Sequence, residues 1–338
     1  MIELEANEIL RRPTVVAGAG GFIGGHLVGH LLDLGTPVTA VDVKPLTEWH
    51  QVHRGATILQ LDLRELDACR KAVENCEVVF NFAADMGGMG FIENNKALCM
   101  LSVLINTHLL MAAREIGVER YFFASSACVY AAEKQRSSQV VPLAEGDAYP
   151  AEPEDGYGWE KLFSERMCRH FLEDFSVQTR VARYHNVYGP HGTFDGGREK
   201  APAAICRKVA QAVISGSNEI EIWGDGEQTR SFTNIDDCVH GTLLLTASDW
   251  SEPLNIGSDQ LVTINQLVDL VEDIANVHLK RNYVLDAPLG VRGRNSDNSR
   301  IRAELGWEPS TRLEIGLRSL FSWVFDEMVT AKVSSLVT

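Results

Sequence analysis

Tyr157-Gly-Trp-Glu-Lys161 puts a phenol and an ammonium four residues apart, the spacing that sets two side chains on one helix face. A free tyrosine hydroxyl titrates near ~10 and is a poor base at neutral pH, but a neighbouring ammonium stabilises the phenolate and lowers that value. Lys161 can also hold a nucleotide ribose. Arg120-Tyr-Phe-Phe-Ala124 reads as a strand running into Ser125 and Ser126, and hydroxyls at the carboxyl end of a parallel strand stand where such sheets bind ligands. Ser126 would bond the reacting oxygen. Tyr-x-x-x-Lys alone is common on surface helices, so a second signal is needed, and it lies near the start of the chain. Gly18-x-x-Gly21-Phe22-Ile23-Gly24 follows a short apolar strand, 14–17, and opens a helical pattern over 22–34 that ends at Gly35. That is the context of a dinucleotide fingerprint: glycine admits the pyrophosphate, and the helix N-terminus supplies donors. Asp42 ends the next strand, close to the expected ~20 residues downstream, and its carboxylate favours NAD(H) over NADP(H). Asp62 is a candidate for the adenine edge or an ordinary loop carboxylate.

These groups need a frame. Strands are expected at 14–17, 37–41, 57–61, 78–82, 120–124 and 179–182, with helices at 22–34, 94–116 and 157–175. That rhythm predicts an α/β fold: a doubly wound parallel (Rossmann) sheet with a smaller C-terminal α/β substrate domain. After Pro190 the rhythm breaks. Residues 1–188 read as the nucleotide-binding domain, with 232–258 returning to it. Residues 189–231 and 259–330 read as the substrate domain, and 331–338 as a frayed tail. A helix is expected from Pro202 to Ser215, another from Ile264 to Val277 behind Thr263 as N-cap, and a last one from about Thr311 to Met328.

The chain has 338 residues and 45 % apolar residues, enough to bury a full core. A net charge of −15 argues against a nucleic-acid partner, which wants a basic face. The acidic start, Met1-Ile-Glu-Leu-Glu, is unlike a signal peptide, and no apolar run is read as approaching the ~20 residues of a membrane span. Seven scattered cysteines without a CxxC pair read as reduced thiols in a cytoplasmic protein, with no metal site.

Several longer segments resemble the extended short-chain dehydrogenase/reductase family and, within it, the GDP-mannose 3,5-epimerases. They are Ala83-Ala-Asp-Met-Gly-Gly-Met-Gly-Phe-Ile92, Ser125-Ser-Ala-Cys-Val-Tyr130, Pro150-Ala-Glu-Pro153 and Tyr184-His-Asn-Val-Tyr-Gly-Pro190. The resemblance continues through Gly196-Gly-Arg-Glu-Lys-Ala-Pro-Ala203, Trp223-Gly-Asp-Gly226, Gln228-Thr-Arg-Ser-Phe232 and Gly290-Val-Arg-Gly-Arg-Asn-Ser-Asp-Asn298. It implies an NAD cofactor held by Gly18, Gly21, Phe22, Ile23, Gly24, Asp42, Asp62, Ala83, Tyr157 and Lys161. It implies a GDP-hexose oxidised at C4 by the Ser126–Tyr157–Lys161 set, inverted at C5 and C3, and re-reduced. Cys128 and Lys200 occupy the family's acid/base positions. A thiol near ~8.5 and an amine near ~10.4 bracket neutrality, so modest shifts make both competent. A free cysteine is otherwise most often a small buried hydrophobe, and Lys200 is otherwise a solvated lysine beside Glu199. Substrate contacts are implied at Gly87, Gly88, Ser126, Asn186, Lys200, Lys208, Gln228, Arg230 and Arg294. The three basic residues other than Lys200 would anchor diphosphate or sugar, and Gly87, Gly88 and Gly90 would let backbone approach the hexose. A homodimer through the helices at 94–116 and 157–175 is also implied. Ala131-Ala132 after Tyr130 departs from the family pattern and bears on which carbons invert. Alternatives are a C5-only epimerase giving GDP-L-gulose, another nucleotide-sugar 4-epimerase or dehydratase, and a non-catalytic NAD sensor.

Overall fold

The computed structural model describes residue 4, residues 7–287 and residues 290–337. Seven parallel strands form the main sheet: β1 (Thr14–Ala17), β2 (Val38–Asp42), β3 (Thr57–Gln60), β4 (Val78–Asn81), β5 (Arg120–Ser126), β6 (Thr179–Tyr184) and, after four short strands elsewhere, β11 (Leu254–Ile256). Their order is β3-β2-β1-β4-β5-β6-β11. Alternation along these strands feeds two cores. Val16, Phe80 and Phe122 face α1 (Phe22–Asp33) and α8 (Ile235–Ala247), while Val15, Val79 and Phe123 face α2 (Leu66–Ala72), α5 (Ser102–Ile116) and α6 (Tyr157–Phe175). Chain order reverses between β1 and β4, the place where such sheets open a crevice.

A third core joins α7 (Ala201–Ser215), α9 (Ile264–Ala275) and α11 (Leu313–Val337) to the parallel pair β8 (Glu219–Trp223) and β13 (Lys280–Val284). Ile205, Val209, Leu267, Val271, Leu317 and Leu320 fill it. Beside it, β9 (Thr229–Ser231) pairs with β12 (Leu261–Thr263) and β14 (Gly293–Arg294), and β7 (Val187–Tyr188) pairs with β10 (Thr233–Asn234). Thr263 caps α9 with Gln266 in a reciprocal box. Ile301 and Leu305 of α10 (Ser299–Leu305) pack in the main sheet's core, although their stretch of chain was expected in the second domain.

Three other features depart from expectation. The single helix expected at 94–116 is two, α4 (Lys96–Met100) and α5, with a separate α3 (Met89–Asn94) ahead of them. Asn94 and Asn95 side chains donate to Gly90 O and Phe91 O, and Asn95 sits outside helical geometry at φ −133°, the local competition short amides offer a helix. Second, Lys96–Ile116 is long and apolar enough, by length and composition, to cross a membrane. Leu109, Leu110, Ala112 and Ala113 face the sheet, while Leu101, Leu104, Met111 and Ile116 are exposed. Third, the last helix runs past Met328 to Val337, through residues expected to fray, because no glycine or proline interrupts it.

Candidate active site

A cavity of about 810 Å³ opens along the carboxyl ends of the main-sheet strands. It is lined by the turn after β1, the ends of β2 and β3, residues 82–87 after β4, Ala124–Ser126, Tyr157, Lys161, and Arg198, Lys200, Pro202 and Ala203 at the entry to α7. Its first end is built by glycine. Gly18 has φ +82°, and a Cβ there would lie 2.8 Å from Ala83 N; a Cβ on Gly24 would lie 2.3 Å from Gly18 O. Side chains are therefore excluded from the turn, and α1 has Gly21 as its N-cap with no side-chain cap, leaving first-turn amides for a phosphate. Phe22, Ile23 and Ala83 line the wall. Asp42 accepts Gly20 N at 2.9 Å and Lys44 N at 3.0 Å, one on each oxygen, and each oxygen keeps a lone pair for a ribose hydroxyl. Lys44 Nζ donates to Gly20 O at 2.7 Å, a contact the sequence reading did not single out. Asp62 also lines the cavity, but its carboxylate is taken by Arg64, whose side chain and backbone both donate to it and hold its pKa below the usual range. These features fit a dinucleotide.

At the other end Tyr157 begins α6, and the nearby Ser126 hydroxyl acts to lower the phenol's pKa. Ser126 Oγ also accepts Cys128 N at 3.2 Å. The expectation that Lys161 lowers the phenol's pKa is corrected. Tyr157 is raised well above 10, by burial first and then by the Cys128 and Glu160 charges. Lys161 Nζ instead lies 3.4 Å from Glu160 Oε2 and over the rings of Phe123 and Tyr157, at 4.7 and 5.4 Å from their centroids. Glu160 is 2 % exposed and Lys161 3 %, so the ammonium is largely neutralised by its own neighbour. Ser164 Oγ donates to the other Glu160 oxygen at 3.0 Å.

Cys128 is buried in an apolar cluster with Tyr157, Cys99 and Ile92. Arg294 Nη1 approaches its sulfur at 3.6 Å. Lys200 lines the cavity, and burial lowers its pKa below that of an ordinary ammonium, with the Cys128 and Cys238 charges acting in the opposite sense. Its neighbour Glu199 is turned to Gly197 N (2.7 Å) and Arg207 (3.2 Å). Lys200 is thus no solvated partner of Glu199. A half-buried amine that shares a cavity wall with Tyr157 and feels the Cys128 charge can move protons at a carbon next to a carbonyl.

The remaining residues expected at the substrate are engaged elsewhere. Gly87 lines the cavity, but a Cβ on Gly88 would lie 2.4 Å from Glu199 O: that glycine makes room for protein backbone, and not for a sugar as expected. Gly90 meets only the Trp223 ring, at ordinary contact distance. Asn186, at φ +46°, donates to Ser231 O. Lys208 bonds Glu221 across α7 and β8, and Gln228 Nε2 donates to Trp223 O. Arg230 donates to Thr229 O and Val291 O, and burial pulls its pKa down to about 10. Arg294 donates to Gln135 Oε1 at 2.7 Å and pairs with Glu154. None of these six positions after Gly88 is on the cavity wall among the described residues. Fixed carbonyl and carboxylate acceptors match their forks and ammonium groups without a ligand.

A doubly wound sheet with this glycine turn, an acidic second-strand end and a Ser–Tyr–Lys set defines a nucleotide-binding oxidoreductase of the short-chain dehydrogenase/reductase class. More narrowly, residues 14–257 match the NAD dependent epimerase/dehydratase family, and the chain belongs to it: it is an NAD-dependent enzyme. It is 45 % identical over 328 residues to GDP-mannose 3,5-epimerase 1 of Oryza sativa subsp. indica, covering 95 % of this chain and 84 % of that protein. It is equally 45 % identical over 318 residues to GDP-mannose 3,5-epimerase of Arabidopsis thaliana, with 94 % and 83 % covered. Among solved structures, UDP-glucose 4-epimerase with UDP-glucose from Thermotoga maritima superposes with a TM-score of 0.84 at 25 % identity, over 94 % of this chain and 99 % of that one.

Proposed function

We propose that this enzyme converts GDP-D-mannose to GDP-L-galactose. The observation that carries the reading is that Ser126, Tyr157, Lys161 and Lys200 share one cavity wall, with the Cys128 thiol packed directly behind Tyr157. A simple C4 epimerase needs only Ser126, Tyr157 and Lys161. NAD, which the Gly18–Gly24 turn and Asp42 would hold, would supply reversible hydride transfer at C4 of the hexose, and a 4-ketone there would acidify the hydrogens at C3 and C5. Tyr157 takes the C4 hydroxyl proton, with Ser126 hydrogen-bonded to the same oxygen. One of Cys128 and Lys200 removes a ring proton and the other supplies one on the opposite face, because inversion needs two groups. The 45 % identity to proteins of this activity supports the sugar nucleotide.

Incubation with GDP-mannose and catalytic NAD+ in D2O, read by proton NMR, tests the reading. Deuterium at C5 and C3 with new sugar signals is expected, and Cys128→Ala should abolish ring deuteration while still binding NAD. Deuterium at C5 alone would make it the gulose-forming enzyme. No exchange with NAD bound would overturn the substrate.

We propose also a homodimer, in which a second copy covers the apolar faces of α5 and α6. Leu104, Met111, Trp159, Phe163 and Phe175 expose 37–51 % of their surface there, and contiguous apolar surface of this kind marks an interface. A second copy, rather than a membrane, is the occupant proposed for Lys96–Ile116, and the seven free cysteines support a reducing, cytoplasmic setting. Light scattering should give twice the chain mass; a monomer at working concentration would refute the dimer.

A further inference from the structure

The two glycine-bearing segments 86–90 and 196–200 are one physical unit. Gly88 N donates to Arg198 O at 3.0 Å, and the space a Cβ on Gly88 would fill belongs to Glu199 O. The Arg198 guanidinium lies 3.7 Å from the Phe91 ring centroid, and its Nη1 donates to Asp85 Oδ1 and Met86 O, both at 3.3 Å. Upstream, Gly196 and Gly197 sit at φ +88° and +86° with open space where side chains would be, so steric packing does little to fix that side. Downstream, Lys200 stands at the N-cap of α7, its carbonyl accepting Ala204 N, and lines the cavity, its amine making no hydrogen bond or ion pair among the described residues. A lysine stem is flexible, and an amine without partners is aimed only by the backbone that carries it. That backbone is held by Arg198.

We infer that Arg198 is a positioning residue for the proton-transfer step: by locking onto Phe91 and Asp85 it fixes the 196–200 segment and aims the Lys200 amine at the ring carbons of the substrate, a role that rests on the epimerase reading above. Arg198 itself moves no proton. Its contacts are an exposed ion pair and a ring stack, individually weak interactions. The groups whose charges act on Lys200 are Cys128 and, on α8, Cys238; Glu199 is diverted to Gly197 and Arg207.

Arg198→Ala, with Arg198→Lys as the conservative variant, tests this by two readouts. The first uses no substrate: competitive acetylation of Lys200 across pH, read by peptide mass spectrometry, with exposed Lys280 as internal reference. Wild-type Lys200 should titrate below an ordinary ammonium, and Arg198→Ala should move it up toward the ordinary ammonium range, with Arg198→Lys between. The second uses NAD-loaded enzyme and GDP-mannose in D2O. In Arg198→Ala the rise in reduced-nicotinamide absorbance should survive, while ring deuteration falls by roughly 10²-fold, the scale of a misplaced catalytic group. A merely structural role would lower both together. An unchanged Lys200 titration, or oxidation and exchange lost in parallel, would overturn the inference. Wild-type enzyme without ring exchange would instead overturn the substrate reading, and the acetylation titration alone would then decide the role of Arg198.

Discussion

Burial moves Tyr157 and Lys200 in opposite directions, because it disfavours whichever form is charged: the phenol rises and the ammonium falls. Only the second shift helps a base at neutral pH. Exchange that depends on neutral Lys200 should therefore rise with pH to a plateau reached below the ordinary lysine range. Tyr157 has the opposite problem, and Glu160 adds to it, since its carboxylate raises the phenol's pKa and occupies the Lys161 ammonium. Replacing Glu160 by glutamine removes a negative charge beside the phenol and releases Lys161 from its ion pair. Both changes favour phenolate, so the pH profile of C4 oxidation in Glu160→Gln should shift to lower pH than wild type, as measured by single-turnover absorbance. A shift to higher pH, or none, would show that Lys161 is not the group Glu160 restrains. The Tyr–Lys spacing was legible in the sequence, but the sign of the phenol's shift was not, because it depends on what burial brings next to the hydroxyl.

At the scale of elements, α6 has to set Tyr157 against the short 127–129 turn that carries Cys128. Gly158 makes this possible: a Cβ there would lie 2.4 Å from Cys128 O. Two effects compete in Gly158→Ala. Alanine gains about 1 kcal/mol of helix propensity, whereas overpacking against a carbonyl that must shift costs typically ~1–3 kcal/mol. The obstacle is backbone and not a flexible side-chain tip, so the clash should win. The variant should lose about 1–2 kcal/mol in urea unfolding and lose ring deuteration more than NAD binding; a more stable variant would refute the packing argument. The same scale shows what sequence periodicity conveys. Strand alternation and the glycine stop at 117, where φ is +73°, are local signals and could be read directly. The break between α3 and α4 goes with two asparagines bonding backward to carbonyls, which apolar spacing does not register. The role of Gly88 was invisible for a different reason: its partner, Glu199, is more than a hundred residues away in sequence, and a glycine does not announce what approaches it.

Across the whole molecule, one buried polar network ties the site to the far edge of the sheet. Ser125, next to the reacting serine, donates to Glu165 Oε1, and Arg183 forks onto Glu165 from β6 at 2.9 and 2.6 Å. Arg183 also donates to Glu145 O, and Glu145 accepts Asn255 N from β11 at 3.0 Å. Asn255 Nδ2 donates to Leu143 O, so its Oδ1 is the acceptor for Tyr130 and for His185 Nε2 at 3.0 Å. His185 must then carry its proton on Nε2 and remain neutral in the folded protein. Burial, aided by the Arg183 charge, pulls its pKa down to about 4 from 6.5. Below pH 6.5 the unfolded chain binds a proton at this residue that the folded chain refuses, so stability is lost as pH falls from about 6.5 toward 4 and is unaffected by this group above 6.5. Glutamine can keep a donor to Asn255 without titrating. His185→Gln should therefore lose less stability than wild type between pH 7.5 and pH 5 in urea unfolding, even if it is less stable at the higher pH. Equal losses in both proteins would mean that acid sensitivity comes from the carboxylates of the network, with Glu165 and its fork to Arg183 the next pair to change.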